Sequence, residues 1–305
     1  MRLDYKRILS TVNAENFVGR IQELEAISAH AEAENEMKGL LFSAAPALGA
    51  SEVLRQTFDR MFDENEKTIP FYFALKKSDK TAKQCAVRFL QMFLSQIVAF
   101  RRDDDELLAS SPDICELAQI SLPSDGNWID RLIENCENDS RLNDERAFVR
   151  HCLSAPLRAK AHGTEVFVMI DDLHEAESFG GESDFIEELK DIFSRANVRF
   201  VFAGHRRFLF ESFHGNYETL ELAPLSFKEA GFLIEKLAEN LNVAINEQTR
   251  DLITMQFGAN PLFINLLFRA ASEKEKNLDS FQRVEQIYTD ELFGGRFGRF
   301  YDRIF

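Results

Sequence analysis

Apolar positions change period along the chain, and each change marks an element. Val18, Ile21, Leu24 and Ile27 recur at helical spacing and predict an amphipathic helix over 15–30, entered through a Gly-Arg turn. Residues 39–43, GLLFS, form a short apolar run between turn signals and read as a buried strand. Val53, Leu54, Phe58, Met61 and Phe62 share one side of a helix predicted over 51–62. A strand follows over 69–75, then a helix over 81–100 whose apolar face carries Ala86, Phe89, Leu90, Phe93, Leu94 and Ile97. Residues 107–145 read as short helices and loops punctuated by Pro112, Pro123 and Gly126, and 145–160 as a helix kinked by Pro156. Strands are predicted over 165–170, 198–203 and 219–222, with a helix over 185–194. Strands alternating with helices predict a parallel sheet covered on both faces.

Beyond Leu225 the strand pattern stops. Ser226 and Glu229 make a capping box for a helix reaching residue 241, and Gly258 and Pro261 divide helices over 246–257 and 261–275. Helical periodicity resumes over 278–305 with a break at Gly294-Gly295. The division expected is an α/β core over 1–223, an all-helical domain over 224–293, and a helical linker over 294–305. The amphipathic pattern still runs at Phe305, as expected of a linker to a further domain.

The stretch LFSAAPALGASEVL, 41–54, is strand, loop and helix, the setting of a phosphate-binding loop. Laid on the Gly-x-x-x-x-Gly-Lys-Ser/Thr frame, Ala44 replaces the first Gly, Gly49 keeps the second, Ala50 replaces the Lys and Ser51 keeps the hydroxyl. Such a loop aims backbone N–H groups at phosphates from a helix N-terminus, and its Lys neutralises the β and γ phosphates. Losing that charge-assisted contact forfeits about 1.5–3 kcal/mol. Ala44 and Ala47 stand where glycines are common; an Ala at positive φ costs about 1 kcal/mol, so a reshaped loop is expected. The strand EVFVMI ends in Asp171 and Asp172, the second half of such a site: Asp171 to orient Mg, Asp172 to activate water. His205, Arg206 and Arg207 follow the next strand at a sensing position, while Ala203 and Gly204 offer no short polar side chain. Arg55 lies one turn beyond Ser51 and is expected to face solvent rather than reach back toward position 50.

Composition narrows the function. The 305 residues carry a net charge of −15, which opposes non-specific binding to nucleic acid. A local exception would be Arg296, Arg299 and Arg303 on one helical face, read as a solvated edge. There are 29 Phe against one Trp and five Tyr, which calls for a large buried interior or a face that meets a partner. Cys85, Cys115, Cys136 and Cys152 have no metal-binding spacing, so free thiols and a cytoplasmic location are expected, with no structural metal. No run is long and apolar enough to span a membrane.

The ordered motifs FVGR-x-x-EL (17–24), the degenerate loop (44–51), the strand with paired acids (167–172), the sensor-like strand (198–207), LAPLS-x-x-EA (222–230) and GANPLFI (258–264) resemble an AAA+ ATPase, of the origin-recognition and STAND group. The resemblance implies a P-loop NTPase sheet flanked by helices with an all-helical lid, and ATP or ADP with Mg held between them. It implies Arg20 near base and ribose, Pro224 near adenine, Pro261 opening the lid helix, and Arg269 as the sensing Arg on that helix. The changes at Ala44, Ala47 and Ala50 lead to a pseudo-ATPase expectation. On it the chain is a regulatory scaffold for another protein, with self-association a further option and nucleotide binding weak or lost. Two other readings stay open: an active switch with a variant loop, and a nucleic-acid-associated regulator acting through a domain beyond residue 305.

Overall fold

The computed structural model describes residues 4–33, 38–181, 184–195 and 197–304, for 303 and 304 the backbone alone, so the Arg303 side chain and Phe305 lie outside the described residues. The elements run α1 (Ile21–Glu32), β1 (Gly39–Ala44), α2 (Ala50–Glu64), β2 (Ile69–Ala74), α3 (Ala82–Arg102), α4 (Glu106–Ser110), α5 (Ile114–Ile120), α6 (Pro123–Leu142), α7 (Glu145–Leu153) and α8 (Ala155–Ala161). They continue with β3 (Val166–Asp171), α9 (Phe185–Ser194), β4 (Arg199–Gly204), α10 (Arg206–Ser212), β5 (Glu218–Leu222), α11 (Phe227–Leu241), α12 (Glu247–Gln256), α13 (Pro261–Glu273), α14 (Phe281–Leu292) and α15 (Arg296–Ile304).

The strands form one sheet in the order β2-β3-β4-β1-β5, with parallel β2–β3, β3–β4 and β4–β1 pairs, flanked by helices. This is the predicted α/β class. The order reverses around β1, and in open α/β sheets that reversal opens a crevice at the carboxyl ends of the strands. The loops after β1, β3 and β4 leave at that end.

Three elements differ from expectation. Helix α6 is one helix of 20 residues where punctuated short pieces were predicted. Pro123 starts it at its first turn and Gly126 lies within that turn, where no intrahelical N–H bond is lost. Pro156 does not kink a continuous helix: α7 ends at Leu153, and the proline sits in the first turn of α8. Helix α1 begins at Ile21 rather than 15, because Gly19 and Arg20 both take positive φ (72° and 64°) and no helix passes through them.

The described residues fall into two compact units. One joins the chain up to Ala14 with Gln22–Ala44 and Ala50–Glu221; the other joins Glu15–Ile21 and Ala45–Gly49 with the chain from Leu222 onward. The first unit buries much of the Phe content. Phe71 on β2 meets Phe89 and Phe93 of α3 edge-on, at 5.0 and 5.1 Å between ring centres, the geometry that aromatic quadrupoles favour. The second packs Val18, Leu225, Ile234, Ile253, Ile264, Leu267, Phe268, Val284, Ile287 and Phe297 into its own core.

Candidate functional site

The loop between β1 and α2 keeps the backbone torsions that glycines normally supply. Ala47 lies at φ 72° and Gly49 at φ 92°. The expected reshaping away from positive φ is therefore not seen at position 47; the chain accepts a non-glycine there, at a cost of about 1 kcal/mol. Leu48 is buried and its N–H points to the Ala45 carbonyl at 3.4 Å. Ala44 closes β1 and is buried, Ala50 opens α2, and Ser51 follows it, both partly exposed. A helix of 15 residues thus starts at the loop with no cation at the position of the P-loop Lys.

Asp171 is the last residue of β3 and only 2% exposed. Register explains what it meets. Ala74 of β2 pairs with Asp171 and Tyr72 pairs with Met169, so Tyr72 stands two residues back on the same face of the sheet. Its hydroxyl donates to one Asp171 oxygen at 2.9 Å, while the Asp172 N–H donates to the other at 2.8 Å. Arg55 does not face solvent as predicted. Its guanidinium lies half-buried over the Tyr72 ring, 5.6 Å from the centre, where the charges of Asp171 and Asp172 act on it. Burial and the Asp171 charge hold the Tyr72 phenol well above its ordinary range. Tyr72 was not singled out in the sequence; the signal was present in FYFA, where alternation sets it opposite Phe71 and Phe73.

Asp172 takes left-handed torsions, φ 55° and ψ 34°, and opens the turn after β3. Burial first, then Asp171 and Glu175, push its carboxyl up to about 7, with Arg55 and Lys77 opposing. A carboxyl poised there can hold or release a proton near neutral pH. Next to it, His174 stacks on His205 with ring centres 3.6 Å apart and 18° between planes. Burial, His205 and Lys77 push His174 down to about 4. Among the described residues its Nδ1 has no hydrogen-bond partner. The stack brings the turns after β3 and β4 together, with Gly204 beside His174, where an added Cβ would lie at ordinary contact distance. Arg206 turns outward to Glu221 at 3.0 Å and lies over the Phe210 ring.

In the second unit, Arg20 is 5% exposed, and its guanidinium donates to the Ala223 carbonyl at 2.6 Å and the Leu48 carbonyl at 3.1 Å. It ties the loop segment 45–49 to the start of the helical segment. Gly19 beside it is required: a Cβ there would lie 3.0 Å from both Glu229 and Leu225 at positive φ. Pro224 is exposed. Pro261 opens α13, where the Asn260 side chain accepts from Leu262 and Phe263 N–H. Arg269 is exposed on α13 and bonded to Asn265 one turn earlier at 2.7 Å.

The resemblance implies magnesium, and the residues fit it poorly. Ser51 and Asp171 are both present, but each Asp171 oxygen already accepts from the protein, and the Arg55 charge over the Tyr72 ring acts on the same carboxylate. Among the described residues no group of three or more His, Cys, Asp or Glu is placed to hold a metal ion. No described helix is long and apolar enough to cross a membrane.

No family profile matches the sequence, and no curated protein does. The fold does have solved counterparts. The Walker-type ATPase PABY2304 of Pyrococcus abyssi is 14% identical, with a TM-score of 0.58 over 99% of this chain and 79% of that one. Aeropyrum pernix ORC1, solved in complex with DNA, is 13% identical, with a TM-score of 0.54 over 90% of this chain and 65% of that one. The chain has the AAA+ P-loop ATPase fold.

Proposed function

We propose that the chain is an AAA+ pseudo-ATPase module, a regulatory scaffold whose partner is another protein and whose nucleotide binding is weak or lost. The observation that carries this reading is the state of the phosphate end of the sheet. Ala50 leaves the start of α2 without its cation, and Asp171 is spent on Tyr72 and the Asp172 N–H. Loss of the Lys contact alone weakens phosphate binding about ten- to a hundred-fold. The loop conformation persists without the side chains that would use it, as expected where a fold is kept for its surfaces. Exposed Phe210, Phe227, Phe232, Phe281 and Phe293 give those surfaces apolar contacts to offer.

Calorimetric titration of ATP and of ADP, with and without magnesium, tests the reading. Neither heat nor thermal stabilisation at millimolar nucleotide is the expected result. Micromolar binding that requires magnesium would overturn it in favour of a working switch. In that case Asp172→Asn should abolish turnover, since Asp172 is the group at this end of the sheet poised to take a proton from water.

A further inference from the structure

We propose that the Arg55 guanidinium stands where a divalent cation would otherwise serve Asp171, so that this carboxylate end of the sheet is closed to metal ions by a cation of the chain itself. The inference rests on reading the β1 and β3 ends as a nucleotide site put to other use, and it names the side chain that closes it.

Two adjacent carboxyls, one of them buried, need positive charge close by. In a metal-dependent site the ion supplies it. Here the charge is covalently attached. Arg55 sits one turn into α2 from Ser51, partly buried, its guanidinium carbon over the Tyr72 ring at 5.6 Å from the centre. Tyr72 relays the contact by donating to Asp171, and register fixes it there because β2 and β3 are locked over Ile69–Ala74 and Val166–Asp171. The Gln96 side chain accepts from the Tyr72 N–H and donates to its carbonyl, both at 2.8 Å, so the residue is held from behind as well. A magnesium ion entering would have to displace a hydrogen bond and accept a guanidinium as neighbour. It also demands near-octahedral oxygen geometry and gives up water reluctantly. A neighbouring cation opposes its entry, and such charge repulsion grows as the surroundings dry.

The test is manganese uptake by the full chain, without nucleotide, followed by loss of the free-ion paramagnetic resonance signal. Wild type should leave the signal unchanged at millimolar ion. Arg55→Met, which keeps the stem and removes the charge, should gain one bound ion per chain, and Arg55→Met with Asp171→Asn should lose it again. Arg55→Gln, which keeps a polar side chain but no charge, should behave as Arg55→Met does and serves if the latter fails to fold. Asp171-dependent uptake by wild type would overturn the proposal, as would folded Arg55→Met or Arg55→Gln that takes up none. Nucleotide binding is read separately in the calorimeter, so a failure of either idea is distinguishable from failure of the other.

Discussion

At the scale of single residues, the site is defined by groups in unusual states. Ala47 accepts a left-handed torsion that the loop path imposes. His174 accepts burial against a second ring. Its side chain is 17% exposed, with His205 stacked on it, Lys77 near, and Glu175 at 3.6 Å from its Nε2. Burial, His205 and Lys77 favour the neutral ring, against the opposite charge of Glu175. With a folded value of about 4 against about 6.5 unfolded, His174 contributes its stability fully above pH 6.5. That contribution is lost as pH falls toward 4, because the unfolded chain binds the proton first. The span of about 2.5 pH units corresponds to roughly 3 kcal/mol. His174→Phe keeps an aromatic stack and cannot titrate. Urea unfolding across that range should therefore show the variant losing less stability toward acid than wild type, by about that amount. Equal slopes for the two proteins would mean that the stacked ring is solvated enough to titrate normally.

At the scale of elements, what the sequence made legible was local, and what it hid was long-range. The strand-loop-helix around Gly49, the capping box at Ser226 and the start of α13 at Pro261 follow from adjacent residues and appear where predicted. The long α6 was missed because Pro123 and Gly126 were weighed as breakers, although both fall in a first turn that tolerates them. The Tyr72–Asp171 contact spans 99 residues and depends on which strand lies beside β3, which no local pattern declares. Edge protection is similarly invisible. β2 ends the sheet, which is where Pro70 is tolerated, and α3 covers it by pairing Gln96 with both backbone groups of Tyr72. Gln96→Leu would leave a buried N–H and a buried carbonyl without partners. The cost should be about 2–4 kcal/mol in chemical unfolding, and the Tyr72 amide should exchange faster with solvent than in wild type. A cost within a few tenths of a kcal/mol would mean that water reaches this edge.

At the scale of the whole molecule, charge separates this chain from what its fold alone would permit. One solved counterpart was captured on DNA, but a likeness at 13% identity transfers the fold and no binding surface. Fifteen excess negative charges raise the cost of approaching a phosphate backbone. The basic run near the C-terminus is partly occupied: Arg296 reaches Glu273 at 2.5 Å, on the same helical segment that holds exposed Arg299. Affinity for duplex DNA is bought mainly by Lys and Arg that displace counterions, and it is strongest at low salt. A chain of this net charge should then show no rise in anisotropy with a labelled duplex even in dilute buffer, the condition most favourable to binding. Binding that appears at low salt and weakens steeply as salt is added would locate a basic surface that the net charge conceals. It would favour nucleic-acid contact by this segment itself over the scaffold reading.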